Sequence, residues 1–391
     1  VTASVLNGHG RNGASTLGAL TTAQLSCLCD AVGLSPVDAD TYAAVLTEAL
    51  GAAAERPLDL PPPSRTFLSD DHTPVEFSLS FLPDGTSALR VLVEPGCAAG
   101  SLAQNGRVGL DAIRDMGRRW GFSTDRLDEL EDLFLPPAPQ GALALWCAME
   151  LRAGGVPMVK VYLNPAANGA ERQAETVQEA LDRLGHRQAF ASLPAADGYP
   201  FLALDLGDWE SPRVKVYLRH DRLSATEAAE LSRMDPGPGP AEIERFFRTA
   251  AGLDEGALGT EAFFETGPDG EPRLAGRPVL TCHAFTETRS GRPTGFTLHI
   301  PVRGYARHDG ESLARATALL RDLGMDPAPL PSALAAVTSR RLEDGVGLLA
   351  YLALAHQQGR PPRVTTYISS EAYDVRPPVV HRPARAATAT G

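Results

Sequence analysis

The two lysines of this chain, Lys160 and Lys215, occupy the same position of a repeated pentapeptide, Val159-Lys160-Val161-Tyr162-Leu163 and Val214-Lys215-Val216-Tyr217-Leu218. All other members of its set of 36 basic side chains are arginine. Lysine is a compact point charge and arginine a planar fork, so the two exceptions mark places where an ammonium is needed. Alternation of this kind is a strand pattern that puts lysine and tyrosine on one face and valine, valine and leucine on the other. The same layout recurs in Leu89-Arg90-Val91-Leu92-Val93, Thr297-Leu298-His299-Ile300 and Thr365-Thr366-Tyr367-Ile368.

Each of these strands follows another β-rich stretch across a turn, which gives five hairpins: Pro74–Phe81 with Ala88–Glu94, Ala142–Leu151 with Met158–Asn164, Tyr199–Leu206 with Arg213–Arg219, Val279–Glu287 with Gly295–Pro301, and Leu348–His356 with Arg363–Ser369. Glycine or proline punctuates most of the bends. Between hairpins, Asp111–Trp120, Glu171–Leu184, Ala225–Met234, Ala241–Ala251 and Glu311–Leu323 carry helical spacing. Ser224 or Thr226 and Asp309 suit N-terminal caps, and Gly185 and Gly324 suit stops. Repetition of one unit implies one architecture. The fold class expected is α+β: a closed, antiparallel, ten-stranded β-barrel ringed by α-helices, built from five hairpin–helix repeats. Closure removes the edges that so long an open sheet would expose. Residues 16–375 form the barrel domain, and 1–15 and 376–391 read as flexible tails. The competing arrangement leaves the same polar residues on an exposed sheet face.

In a closed barrel the inward row holds Glu76, Arg90, Lys160, Tyr162, Arg213, Lys215, Tyr217, His299 and Tyr367. The chain as a whole carries a net charge of −12, which argues against nucleic acid or an anionic membrane as partner. A cationic lumen inside an acidic protein therefore calls for a small polyanion. Diphosphate suits arginine forks and lysine charges, and tyrosine faces suit a carbocation. That pairing suggests ionisation of an allylic diphosphate. No Gly-rich phosphate loop is present. Asp70-Asp71 and Asp128-Glu129-Leu130-Glu131-Asp132 are the only acidic clusters resembling metal–diphosphate sites, and the second reads as a solvated helix face; no metal is expected. Glu76 is either a partner for Arg90 or an acceptor for an aromatic N–H or O–H. Trp146 and Phe201 either narrow the lumen or belong to the outer core. Five cysteines, an odd and sparse set, fit a reducing compartment, and Cys27-x-Cys29 reads as two small residues on a helix. No apolar run is long enough for a bilayer span.

Asp70-Asp71-His72-Thr73-Pro74-Val75-Glu76-Phe77-Ser78, the Lys-x-Tyr and Arg-x-Lys-x-Tyr strands, and Ile300-Pro301-Val302-Arg303-Gly304-Tyr305 with Asp309 resemble the dimethylallyltryptophan synthase type of aromatic prenyltransferases. The likeness spans roughly residues 65–375 and is nearest to bacterial members acting on tryptophan, those alkylating C6 included. It implies the αββα prenyltransferase barrel. It also implies metal-independent transfer from dimethylallyl diphosphate to the indole of L-tryptophan, at C6, without a cofactor. By motif, Glu76 resembles the catalytic glutamate that holds the indole N–H. Arg90, Lys160, Arg213, Lys215, Thr297 and His299 resemble the diphosphate-binding set, and Tyr162, Tyr217 and Tyr367 the cation shield. Fungal C4-type members use a further lumen lysine as base; its absence here disfavours C4. Two alternatives stand beside this: the same chemistry on a tyrosine, phenol or indole peptide, and a non-catalytic anion-binding barrel. A monomeric cytoplasmic enzyme with small-molecule partners alone is expected.

Overall fold

The computed structural model describes residues 15–207, 213–254 and 264–379. Among the described residues thirteen strands occur in chain order: β1 Val75–Phe81, β2 Ser87–Val93, β3 Leu145–Glu150, β4 Met158–Leu163, β5 Gly198–Leu206, β6 Val214–His220, β7 Leu223–Ser224, β8 Phe264–Thr266, β9 Pro272–Leu274, β10 Val279–Phe285, β11 Gly295–Ile300, β12 Leu349–Gln357 and β13 Arg360–Ser369. Ten of them close into a barrel of order β1-β13-β12-β11-β10-β6-β5-β4-β3-β2. Every neighbouring pair is antiparallel. The ten barrel strands are the five expected hairpins. The remaining three, β7, β9 and β8, make a small separate sheet that the alternation did not announce, because two- and three-residue strands carry no period.

Alternation sets the two faces. Val159, Val161 and Leu163 on β4 and Val214, Val216 and Leu218 on β6 are buried in the main apolar core between barrel and helices. Burial of such side chains contributes roughly 1.5–3 kcal/mol each, so a slip of one residue that turned valines inward and lysines outward is strongly disfavoured. At the β3–β4 turn Gly154 and Gly155 have φ of 94° and 72°, which only glycine adopts without strain. The Gly154 N–H donates to Asp38 Oδ1 at 2.9 Å, tying this hairpin to the helix Pro36–Leu50.

The helices follow the expected order with shifted ends. Leu102–Trp120 is capped by Ser101, whose side chain accepts from Gln104 N–H, and starts nine residues before the expected Asp111. Ser224 caps Ala225–Ala229 through a reciprocal capping box with Glu227. That helix ends well short of Met234, ahead of the Pro236-Gly237-Pro238-Gly239-Pro240 run that excludes regular helix. Cys27 and Cys29 lie on Leu17–Ala31, one exposed and one buried, as two small residues on a helix should. Among the described residues no helix is long and apolar enough to cross a membrane.

Of the expected tails, 1–14 and 380–391 lie outside the described residues. Residues 376–379 rest on the barrel domain, with Arg376 C=O accepting from Val346 N–H at 3.0 Å and Val379 N–H donating to Arg307 C=O at 2.9 Å.

Asp309 differs from its expected role. His308 is the N-cap of Asp309–Asp322, and the Asp309 side chain reaches instead to the start of β12. It accepts from Gly347 N–H at 3.0 Å and Leu349 N–H at 3.2 Å, and pairs with Arg340 at 2.5 Å. Its side chain is 0% exposed. Removing it leaves two backbone donors without their acceptor and leaves Arg340 to the Glu371 carboxylate. Asp309→Ala should lower unfolding free energy by about 3 kcal/mol, read as a shifted urea midpoint; an unchanged midpoint would show that this knot is dispensable.

Candidate active site

The inward row builds one continuous lumen. Glu76, Arg90, Lys160, Tyr162, Lys215, Tyr217, Thr297, His299 and Tyr367 line a narrow central waist of about 50 Å³. Arg213 lies beside it, on the wall of a chamber of about 340 Å³ at the β1–β2 turn end of the barrel. At the other end a chamber of about 430 Å³ is walled by aromatic and aliphatic side chains. Alanines at inward positions make room: Ala148, Ala203, Ala353 and Ala355 face the lumen in register with Lys160, Lys215, His299 and Thr297. The exposed-sheet arrangement is excluded, because the waist is ringed by strands on all sides.

The charged layer is anchored by two carboxylates that the sequence argument did not name. Lys160 Nζ and Lys215 Nζ sit 3.5 and 3.8 Å from the same oxygen, Asp205 Oδ1. Arg213 Nε donates to Asp205 Oδ2 at 2.6 Å and its Nη1 to Gln357 Oε1 at 2.5 Å. Arg90 donates to Glu150 Oε2 at 2.9 and 2.6 Å and to Ser80 Oγ at 2.6 Å. Arg90 is therefore not Glu76's partner, which corrects that alternative. Arg363, on β13 two residues before Thr365, joins the same layer. Among the described residues, five cations thus face two carboxylates in this layer, an excess of three positive charges. Burial, with help from Arg90, pushes Arg363 down to about 10. Burial also takes Lys215 well below the usual lysine range, and Lys160 and Arg213 add repulsion that Asp205 offsets only in part. Asp205 is lowered despite its own burial by Lys215, Lys160 and Arg213. A layer so strained by like charge is built to receive a polyanion.

Above it lies a belt of rings. Tyr162 and Tyr217 are 5.7 Å apart, Tyr217 and His299 5.7 Å, His299 and Tyr367 5.9 Å, and Tyr367 and Tyr351 6.0 Å. Tyr351 was not foreseen. Burial pushes Tyr217 and Tyr367 upward, so both phenols stay neutral and present an oxygen and a π-face. Burial also takes His299 down to about 3, which makes it a neutral imidazole. Trp146 and Phe201 point inward, 5.2 Å apart, and Phe67 closes over Trp146 at 4.8 Å. Trp146 Nε1 is fixed by a bond of 3.2 Å to Glu94 Oε2.

Glu76 stands at the base of this aromatic chamber, 6% exposed, and accepts no hydrogen bond among the described residues. Burial, partly countered by Arg303 and reinforced by Asp70, pushes it up to about 8. An unpartnered carboxyl beside an aromatic-walled chamber is suited to take an N–H. The acidic clusters are otherwise engaged. Asp70 pairs with Arg277 at 2.7 Å, and Arg114 bridges Asp128 and Glu131 at 2.7 and 2.8 Å. Asp205 tests the charged layer. Asp205→Asn should cost about 3 kcal/mol by leaving Lys160, Lys215 and Arg213 without their counter-charge. Inorganic diphosphate should then raise its melting temperature more than it raises the wild type's; equal shifts in both would contradict this electrostatic account.

A family model described as tryptophan dimethylallyltransferase matches residues 39–329. The structure of the prenyltransferase PriB in ternary complex with L-tryptophan and dimethylallyl thiolodiphosphate is similar, with a TM-score of 0.88 and 63% identity, covering 94% of this chain and 100% of that one. For 5-dimethylallyltryptophan synthase from Streptomyces coelicolor the values are 0.86 and 64%, over 93% and 100%. For 6-dimethylallyltryptophan synthase from Micromonospora olivasterospora, in complex with DMASPP and Trp, they are 0.81 and 38%, over 93% and 99%. A lumen with a polycationic layer under a tyrosine belt accords with these likenesses: the chain is a prenyltransferase and belongs to the tryptophan dimethylallyltransferase family.

Proposed function

We propose that this enzyme moves the dimethylallyl group of dimethylallyl diphosphate onto the benzenoid edge of the indole of L-tryptophan, at C5 or C6. The observation that carries the proposal is the layered lumen, with five cations below, neutral phenols at the waist and Glu76 at the base of an aromatic chamber. Likeness at 64% identity to an enzyme named for position 5, and at 38% to one named for position 6, widens the C6 expectation to that edge.

Arg90, Lys160, Arg213, Lys215 and Arg363 take the diphosphate, with Thr297 and His299 beside them as neutral donors. As the donor's C1–O bond breaks, its electron pair leaves with the diphosphate, and the cations stabilise that growing charge. Tyr162, Tyr217 and Tyr367 exclude water and turn their ring faces to the allylic cation, each worth about 0.5–2 kcal/mol when desolvated. The indole, held through its N–H on Glu76, supplies the electrons for the new C–C bond. The ring proton then passes to water or to diphosphate, since no other lysine is present to take it. Charge compensation rests on side chains, so we propose that no metal is needed.

The same reading makes the enzyme a cytoplasmic monomer acting on small molecules. It is supported by the edge-free barrel, the net charge of −12 and the five free cysteines. The direct test is an assay with L-tryptophan and dimethylallyl diphosphate in excess chelator, with the product's ring position read by NMR. A C5- or C6-prenylated product is expected. Turnover of tyrosine or a phenol but not tryptophan would move the acceptor, and dependence on Mg²⁺ would overturn the metal-free step. Glu76→Ala and Lys215→Ala should each lower kcat/KM by about 10²-fold or more with an unchanged circular dichroism spectrum. Near-normal rates in both variants would refute the assignment.

A further inference from the structure

The chamber of about 340 Å³ at the β1–β2 turn end has no task in the steps proposed above, yet it adjoins the charged layer directly. Lys215, Cys282, Thr297, Ala355 and Arg363 line both it and the central waist. Small residues keep it wide: Ala284 on β10 and Gly295 on β11 are cross-strand partners on its wall. Its lining reaches outward to Asp84 in the β1–β2 turn and to Arg360 and Pro361 at the start of β13, all exposed. Two arginines stand along that path with no hydrogen bond or ion pair among the described residues, Arg363 at the inner end and Arg360 at the outer. The other charged groups facing the chamber lie close to partners. Arg213 donates to Asp205 and Gln357, Lys215 Nζ is 3.8 Å from Asp205 Oδ1, His356 Nε2 is 3.2 Å from Glu242 Oε1, and Asp84 Oδ1 accepts from Thr86 N–H at 2.9 Å.

We propose that this chamber is the exit for product diphosphate: the anion leaves the layer past Arg363 and Arg360 at the hairpin-turn end while the acceptor chamber is still filled. The inference rests on the reading of the charged layer as the diphosphate site. Two ways lead out of that layer. One passes the ring belt and Glu76 into the chamber walled by Phe67, Trp146 and Phe201, where the prenylated product lies after reaction. Ring faces are negative and replace none of the water that a multiply charged anion must shed there. The arginines of that chamber are engaged: Arg277 and Arg303 donate to Asp70, and Arg219 donates to Asp197 C=O at 3.1 Å. The other way is wide from the start and offers a guanidinium without a partner at each end, so the anion keeps a charged donor beside it as it moves outward. Departure is dissociation alone; no bond forms or breaks and no proton has to move. Such an exit uncouples the two products, because diphosphate need not wait for the prenylated amino acid.

Phosphorus NMR exchange measurements on the full chain with inorganic diphosphate read how fast bound and free anion interchange, with and without saturating L-tryptophan. Tryptophan fills the acceptor side only, so the wild-type exchange rate should stay within about twofold. Ala284→Phe, which fills the proposed exit, should slow exchange about tenfold or more with Kd within about twofold, since an obstructed route slows association and dissociation alike. Arg360→Glu, at the exposed mouth, should slow association about threefold or more, an effect that fades as salt is raised. Wild-type exchange slowed about tenfold by tryptophan would place the exit on the acceptor side and overturn the proposal. So would unchanged exchange in both variants. A raised Kd with unslowed association in Ala284→Phe would also overturn it, by making the chamber part of the binding site and not a passage. Wild-type enzyme that binds no diphosphate would end the reading of the charged layer itself, and the exit with it. Thermal melts establish that both variants are folded.

Discussion

Like charges crowded out of water govern this molecule. Arg90, Lys160, Arg213, Lys215 and Arg363 occupy one layer of the barrel, and Asp205 and Glu150 cancel two of their five charges. That arrangement costs free energy in the protein alone. It is tolerated because each cation is mounted on a strand, or for Arg213 directly before one, whose opposite face is locked into an apolar core, so the layer cannot relax by turning outward. Closure of the ten strands removes the other escape, since a barrel has no edge at which to fray. The strain is the affinity: a ligand bringing several negative charges recovers what the fold spent in assembling the layer.

The chemistry follows from what lies next to that layer along the barrel axis. Cationic side chains give way within one pleat to neutral phenols, and those to Trp146, Phe201 and Phe67. On the function proposed above, this order would stabilise negative charge at one end, positive charge in the middle and an uncharged ring at the other. Glu76 stands at the base of the aromatic chamber, and on its wall Arg303 pairs with Asp70, which pairs in turn with Arg277 at the rim. A heterolysis followed by attack from an electron-rich ring needs that order of environments and no other.

Much of this was legible because alternation is a strong code. Lys160 with Tyr162 and Lys215 with Tyr217 announced both the strands and their inward face, and the outward valines confirmed the period. Arg363 obeys the same code, two residues before Thr365 and four before Tyr367, and could have been found by extending the pattern one step back. Asp205 was hidden because Ala203-Leu204-Asp205-Leu206 shows a single charge in an apolar strand, and its value appears only when β4 and β6 are known to flank β5. Arg303 and Phe67 were illegible as site residues for another reason. They lie on a 3₁₀ turn and an irregular segment, where no period tells which way a side chain points. Asp309 likewise carried a local signal, a helix start, that tertiary hydrogen bonds to Gly347 and Leu349 overrode.

The most direct measurement is a crystal structure of this enzyme with L-tryptophan and an unreactive thiolodiphosphate analogue of the donor. The account requires the diphosphate oxygens to lie within hydrogen-bond reach of Lys160, Lys215 and the arginines of their layer, with the indole nitrogen on Glu76 and the allylic carbons between the tyrosine rings. A diphosphate seated instead on Arg277 and Arg376, two arginines beside Asp70 outside the layer, or an indole whose nitrogen points away from Glu76, would contradict it.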